Sequence, residues 1–236
     1  MKRIVILTIM AALLLPVTTS AQSGNAFGGF GYYQPGLQFF MPNNLNNYFP
    51  IDYPLVDFNS YYDAGGGFAV FYNFIIGGEG GSYRGGSFVN GNRKVDLSGE
   101  FSALKMGYTV YKKRGLMIYP LLGFVRQSMT IYVHQVNQAE SFNRVLENPN
   151  IASTLVLQNA NLTISAAFMY EVFGAKKDNM VNGMVVGMEA GYQLPAFGSG
   201  KWTYDNGPIM SPTAPVFDLP GFFLRLIIGG GGLYVK

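Results

Sequence analysis

Cysteine is absent from the chain of 236 residues, which excludes disulfide bridges, thiolate metal sites and a lipid-modified N-terminal cysteine. Charge is scarce as well. Asp, Glu, Lys and Arg make up 12% of the residues, whereas a soluble domain usually carries about 25%. After residue 21, no apolar run reaches the roughly 18 residues that a membrane-spanning helix needs. Few soluble folds fit a chain this poor in charge.

The first 21 residues have the pattern of a secretory signal peptide. The basic pair Lys2 and Arg3 precedes an apolar run, and a small-residue cleavage site ends at Ala21. We therefore expect a signal peptide over 1–21 and a single mature domain over 22–236. The mature domain would hold 14 basic and 13 acidic residues, because Lys2 and Arg3 leave with the leader. This balance gives no attraction to polyanions, so we expect no nucleic-acid partner.

Alternation of apolar and polar residues predicts the strands. In the segment 159–172, apolar residues occupy the even positions and mostly small polar residues the odd ones. We expect the even face to meet lipid and the odd face to line a lumen. Glycine, asparagine, proline and charged clusters divide the chain into about eight such runs. They lie near residues 26–39, 65–75, 78–88, 95–111, 116–134, 154–173, 181–197 and 220–235.

The connections between these strands alternate in length. Tight turns are expected at Gly77-Gly78, in KKRG and in GAKKDN, with a modest loop at NGNRK and long loops at 40–64, 135–153 and 198–219. Short turns on one side and longer loops on the other are typical of transmembrane β-barrels. The polar strand faces hold glycine, Ser, Thr and Asn rather than the many charges of a solvated surface. The sequence therefore predicts an all-β fold, an eight-stranded antiparallel up-and-down transmembrane barrel with a polar, largely filled lumen.

The same alternation assigns four charged residues to the lumen: Glu100, Arg126, Glu189 and Arg225. Each lies on the strand face opposite the more apolar one. An isolated ion inside a narrow barrel costs several kcal/mol, so these charges are expected to pair. We predict the pairs Glu100–Arg126 and Glu189–Arg225.

The alternation changes phase in LKMGYTVY, where Leu104, Met106 and Tyr108 become the apolar set. Lys105 would then face lipid if the phase of the strand held. A β-bulge inserts one extra residue and exchanges the two faces. We therefore predict a bulge near Ala103–Leu104 that turns Lys105 inward.

The leader, the strand alternation, the loop alternation and the glycine- and aromatic-rich last strand GFFLRLIIGGGGLYV together resemble a known family. It is that of the small eight-stranded outer-membrane barrels, of the outer-membrane protein A transmembrane domain and outer-membrane protein X type. The Ala21-Gln22 junction looks like those of Bacteroidetes exported proteins. The resemblance implies a monomer without cofactors in the bacterial outer membrane, surrounded by membrane lipid and lipopolysaccharide.

The first long loop is the main candidate for a binding surface. It combines Tyr48, Tyr53, Tyr61 and Tyr62 with several asparagines, a chemistry that gives large contact area and adaptable hydrogen bonds. Trp202, the only tryptophan, lies in the last long loop. We expect a structural role or an interaction with a protein or glycan ligand through these loops. The alternative for the first loop is that it packs on itself against lipopolysaccharide.

Three other functions stay open from the sequence. Some barrels of this family modify lipid A, which here would need His134, the only histidine, as base and Ser141 or Ser128 as nucleophile. Ser128 is six residues from His134 on one strand, about 20 Å by strand rise, so we expect no enzyme activity. No cluster has metal-ligand spacing, so no metal is expected. The remaining alternatives are a narrow channel for small apolar compounds and an accessory subunit of an envelope assembly.

Overall fold

The computed structural model describes residues 26–41, 45–136, 152–177, 180–195, 200–204, 207–208 and 218–235. The predicted leader and Ser141 lie outside these residues. Eight long strands form the fold: β1 (Ala26–Phe40), β2 (Asn59–Phe71), β3 (Phe74–Asn90), β4 (Arg93–Tyr108), β6 (Leu116–Gln135), β7 (Ala152–Lys177), β8 (Met180–Pro195) and β11 (Gly221–Val235). Three short strands accompany them: β5 (Tyr111–Lys113), β9 (Lys201–Tyr204) and β10 (Gly207–Pro208).

The eight long strands close into an antiparallel barrel. Each pairs with the next one along the chain, and β1 pairs with β11 to complete the circle. A path that starts at Gly28 of β1 and moves from each residue to its paired residue on the next strand returns to β1 at Gln38. The register of the closed sheet is therefore staggered by ten residues. Such a stagger requires strands that tilt against the barrel axis. The predicted fold class is confirmed.

Two of the predicted connections are wrong. The turn between β2 and β3 lies at Tyr72-Asn73, because Phe71 pairs with Phe74, and Tyr72 takes a left-handed φ of 58°. Gly77 and Gly78 lie inside β3 instead. NGNRK holds a two-residue turn rather than a modest loop, since Asn90 pairs with Arg93. The glycine of this segment, Gly91, also has a φ of 58°, a conformation that favours glycine.

The barrel has two unlike ends. The tight turns Tyr72-Asn73 and Arg114-Gly115 lie at the end where β1 begins and β11 ends, here called the turn end. The connection from β1 to β2 and those after β6 and β8 lie at the opposite end, here called the loop end. The first connection is shorter than predicted, because Asn59 to Ala64 continue β2. Segment 45–58 therefore forms most of this loop.

Large apolar side chains cover the outer face of the barrel, here called the belt. Members of the belt are exposed on almost every strand: Leu37, Ile76, Leu104, Met106, Ile118, Phe124, Leu162, Phe168, Met184, Phe222, Leu224, Leu226 and Ile228. Aromatic residues border it at the turn end: Phe27, Phe71, Phe74, Tyr108, Tyr170 and Tyr234. An apolar outer band with aromatic edges is typical of barrels that sit in a bilayer. In the part of the chain that the structure describes, no helix has both the length and the apolar character to cross a membrane.

Toward the loop end, the outer face of β4 and β6 becomes polar. Ser98, Glu100 and Ser102 are exposed there, while Leu97 and Phe101 between them are buried. Pairing with β6 continues without a shift along all of β4 from Arg93 to Gly107. The predicted bulge at Ala103–Leu104 is therefore wrong. Lys105 nevertheless points inward, because the strand keeps one parity throughout.

Glu100 and Arg126 consequently lie on the outer face, and their predicted place in the lumen is wrong. The prediction assumed that lipid surrounds every strand along its whole length. At the loop end, however, Val56 and Phe58 of the first connection pack against the inner face of the wall. The wall there is apolar inside and polar outside, the alternation of a water-exposed sheet. The phase change seen in the sequence marks the edge of the belt.

Candidate functional site

The lumen is built in three layers. An apolar cluster at the turn end contains residues such as Phe30, Phe68, Tyr119 and Met169. A second apolar cluster at the loop end contains residues such as Phe40, Tyr83, Leu97 and Phe101. Between them lies a layer of buried charged and amide side chains: Gln34, Gln38, Glu79, Lys105, Glu189 and Arg225. The buried charges of the described residues therefore lie in the middle of the lumen.

Lys105 is the centre of this polar layer. Its ammonium nitrogen lies 2.8 Å from a carboxylate oxygen of Glu79 on the neighbouring strand β3. It also lies 2.8 Å from an oxygen of Glu189 on β8, three strands around the barrel. Both contacts are buried, so each is an ion pair without solvent screening. Lys105 thus ties together strands from opposite walls.

Both carboxylates are held by further donors. Tyr62 donates a hydrogen bond of 2.8 Å to Glu79, and Tyr32 donates one of 3.3 Å. Gln34 and Ser165 donate to Glu189 at 2.7 Å and 2.8 Å. Buried charges are tolerated when their lone pairs are satisfied in this way. Two carboxylates and two cations leave the layer without net charge.

Arg225 closes the network from β11. Its guanidinium donates a hydrogen bond of 2.9 Å to Glu79 and lies 3.6 Å from the ring centre of Tyr62. The ring of Phe223 flanks the guanidinium at 3.9 Å, so two aromatic faces stabilise its charge. Glu189 is the registered neighbour of Arg225 across the β8–β11 pair. The ion pair of Arg225 is nevertheless with Glu79 rather than with the predicted partner.

Sequence reasoning missed Glu79. It predicted the inward position of Lys105, but through a bulge that β4 does not contain. Glu79 lies in GGEGG, within the glycine-rich third strand. A single acidic residue between glycines in a strand is the signal that could have identified it. Gly66 on the neighbouring strand β2 makes room for Glu79 and Tyr32, because a Cβ there would lie 2.8 Å from the Tyr32 hydroxyl and 2.8 Å from the Glu79 Cβ.

A cavity of about 130 Å³ lies at the turn end of the lumen, below the polar layer. Its lining is mainly apolar, with Phe30, Met117 and Met169 on its walls and Lys112 at its edge. Burial lowers the pKa of Lys112, and the Glu171 carboxylate acts in the opposite direction. The polar layer separates this cavity from the loop end.

The first connection closes the other end of the barrel. The short 3-10 helix Leu45–Tyr48 begins its described part. The Asn46 side chain accepts a hydrogen bond of 3.0 Å from the Val56 amide and donates one of 3.1 Å to the Val56 carbonyl. Val56 and Phe58 then enter the loop-end cluster, which also contains Leu97 and Phe101. The loop therefore folds into the mouth of the barrel and fills it.

An open cleft of about 830 Å³ remains between this loop and the end of β3. Ile51 is fully exposed and Leu55 is 81% exposed at its edge. Asp52 forms an ion pair of 3.5 Å with Arg93. The full lining is Asn46, Phe49, Pro50, Ile51, Tyr53, Pro54, Leu55, Ser87, Phe88, Val89 and Asn90. The cleft is open to solvent and is lined by both apolar and polar groups.

The aromatic residues predicted for recognition do not form one surface. Tyr53 stacks on Phe49 and lines the cleft, and Tyr48 is exposed beside it. Tyr61 and Tyr62 lie on β2, with Tyr61 exposed on the outer face and Tyr62 buried in the lumen. Trp202, on β9, packs against the loop-end cluster. The prediction of a loop position for Tyr61 and Tyr62 is wrong, because β2 begins at Asn59.

His134 lies at the loop end of β6. Its Nδ1 atom is 3.7 Å from a carboxylate oxygen of Asp96, and its ring lies 4.9 Å from that of Tyr132. Ser128 is on the same strand, nearer the belt, and its carbonyl accepts a hydrogen bond from Tyr83. In the described part of the chain, no group of three or more His, Cys, Asp or Glu residues could hold a metal ion.

No family model and no curated protein matches this chain. Solved structures give matches that are low in identity. The attachment invasion locus protein Ail of Yersinia pestis is 11% identical, over 89% of this chain and 99% of that one, with a TM-score of 0.43. The outer membrane protein OprG from Pseudomonas aeruginosa is 10% identical, over 91% and 97%, with a TM-score of 0.34. The outer membrane protein AlkL is 12% identical, over 93% of each chain, with a TM-score of 0.29.

Proposed function

We propose that this chain is a closed barrel of the bacterial outer membrane that acts at the cell surface, by binding a protein partner in the cleft beside Ile51 and Leu55. The turn end would face the periplasm and the loop end the outside, as in other outer-membrane barrels. Cleavage of the leader, a monomeric state and membership of the outer-membrane protein A and X group are parts of the same proposal. The observation that carries it is the position of the cleft of about 830 Å³ at the loop end, above a blocked lumen.

The polar layer argues against a channel. Lys105 and Glu189 are 2% and 0% exposed, and their ion pair crosses the lumen. A continuous apolar path would favour passage of apolar compounds, but a neutral cluster of paired charges interrupts it between the two apolar clusters. A small apolar molecule would have to displace these ion pairs, at a cost of several kcal/mol. The barrel itself therefore offers rigidity rather than a path.

The cleft argues for a protein partner with an apolar side chain at its contact point. Ile51, Leu55 and Val89 are exposed at its edge, and an exposed group of large apolar side chains often marks a binding site. Beneath them lie the rings of Phe49, Tyr53 and Phe88. The Asp52–Arg93 pair balances the local charge, so apolar contact rather than charge would supply the affinity.

Photo-crosslinking on living cells tests this proposal. A photoreactive residue replacing Leu55 should give a discrete protein adduct, with the link at an apolar side chain of the partner. Adding Ile51→Asp should abolish that adduct, because a carboxylate at the rim opposes apolar contact. The matched control places the same residue at Ile118, which is exposed on the belt at the turn end and should yield lipid adducts alone. The same adducts at both positions, or a Leu55 adduct that survives Ile51→Asp, would contradict the proposal.

A further inference from the structure

A polar concavity lies on the outer wall of the barrel, away from the cleft. It measures about 350 Å³ and lies on β4, β6 and β7. Five polar side chains at this concavity form what is here called the outer patch: Glu100, Ser102, Arg126, Ser128 and Gln158. Four of them are exposed and Ser128 is half-buried. These residues belong to the polar part of the outer face, toward the loop end.

The outer patch begins where the belt ends. Ser102 is two residues above Leu104 on β4, and Arg126 is two residues above Phe124 on β6. In the register of β4 and β6, Leu104 lies opposite Phe124, and Ser102 lies opposite Arg126. Side chains two residues apart on a strand face the same side and are about 6–7 Å apart. The first polar row therefore lies directly above the last apolar row, at the level where lipid headgroups meet water.

The charges of the outer patch are open to a ligand. Glu100 lies opposite Ser128 in the register of β4 and β6. Glu100 and Arg126 are therefore diagonal neighbours on adjacent strands, at a spacing of about 7–8 Å. Among the described residues, neither of them forms an ion pair with a protein group. An arginine guanidinium binds phosphate oxygens in bidentate fashion. Two serine hydroxyls and the Gln158 amide supply further donors, and Glu100 supplies an acceptor for sugar hydroxyls.

We propose that the outer patch binds the phosphorylated saccharide headgroup of a glycolipid in the outer leaflet. Arg126 binds the phosphate, and Glu100 accepts hydrogen bonds from the sugar. The acyl chains of the same molecule lie on Leu104, Phe124 and Leu162 of the belt below. This position argues for a lipid rather than a free sugar phosphate, since only a lipid uses both surfaces. The inference is independent of the partner proposed for the cleft, but it rests on the proposed orientation, in which the loop end faces outside.

The test measures the affinity of the whole barrel for diphosphorylated lipid A in phosphatidylcholine nanodiscs, by native mass spectrometry. Arg126→Gln should weaken binding about tenfold, the loss of one strong charge-assisted contact. Lys113→Gln is the matched control, because it removes the same charge from an exposed side chain at the turn end. It should leave the affinity unchanged. A second variant, Glu100→Gln, should weaken binding less than Arg126→Gln while keeping the preference for phosphorylated lipid.

Three outcomes would overturn the inference. Equal affinities of the wild type and Arg126→Gln would show that the guanidinium makes no contact. Equal binding of lipid A with and without its phosphates would remove the anion from the recognition. Displacement of lipid A by soluble glucose 1-phosphate at similar concentrations would identify a site for a free sugar phosphate instead of a lipid. All variants change exposed residues, and a heat-dependent shift in gel mobility checks that each barrel is folded.

Discussion

The Lys105 ammonium lies 2.8 Å from the Glu189 carboxylate, and this contact joins β4 to β8 through the interior of the barrel. Both residues are buried. The contact explains why a strand whose sequence changes phase keeps its lysine inside: the ion pair is available only in the lumen. It also blocks the lumen at its middle.

Lys105→Met should destabilise the barrel by about 3–5 kcal/mol, because Glu79 and Glu189 then keep buried charge without their shared cation. Urea unfolding in detergent, followed by the fluorescence of the single Trp202, measures the effect. Lys113→Met removes the same charge from an exposed position at the turn end, and its unfolding midpoint should match the wild type. Equal midpoints for the two variants would show that the buried pairs contribute nothing.

Tyr62→Phe should lower the free energy of unfolding by about 1–2 kcal/mol, since it removes the 2.8 Å hydrogen bond to Glu79 and leaves the ring in place. The neighbouring residue offers a close control. Tyr61 is 74% exposed on the outer face, so Tyr61→Phe should have no measurable effect in the same urea titration. A larger loss for Tyr61→Phe than for Tyr62→Phe would mean that the two faces of β2 are exchanged.

Gly99→Ala should also destabilise the barrel, by about 1–3 kcal/mol, the usual cost of an overpacked site. A Cβ at Gly99 would collide with the ring of Tyr83 and with the carbonyl of Ser128. A Cβ at Gly31 would meet no atom within 4 Å, so Gly31→Ala should leave thermal unfolding unchanged. If both alanine variants melt at the wild-type temperature, Tyr83 does not lie over Gly99.

Liposomes containing the wild-type barrel should swell no faster in arabinose than empty liposomes, because the ion pairs of Lys105 and Arg225 cross the lumen. Liposomes with a general porin serve as the positive control. Swelling close to the porin rate would mean that the polar layer opens in a bilayer. The channel alternative would then replace the closed barrel.

The sequence predicts much of the fold because alternation is a strong local signal. In β7 the small polar residues Asn159, Asn161 and Ser165 are buried, and Leu162 and Phe168 are exposed, as the period of two indicates. Closure of the barrel follows, since unpaired strand edges are not tolerated in lipid. These features depend only on residues close together in the chain.

The candidate site was harder to predict because it depends on what surrounds each strand. Alternation gives the two faces of β4, but not where β4 leaves the belt, so it wrongly assigns Glu100 to the lumen. That boundary depends on the tilt of the strands and on Val56 and Phe58, which fill the mouth from a distant segment. The Arg225–Glu79 pair joins residues 146 positions apart, and registered neighbours alone do not reveal it.

Cysteine labelling on intact cells tests the central claim, a closed barrel in the outer membrane with its cleft outside. The chain contains no cysteine, so each single substitution reports one position. Ile51→Cys, at the cleft, should react with a membrane-impermeant maleimide on intact cells. Lys113→Cys, at the turn end, should react only after the outer membrane is permeabilised. Labelling of Lys113→Cys on intact cells, with Ile51→Cys protected, would contradict the orientation and place the cleft in the periplasm.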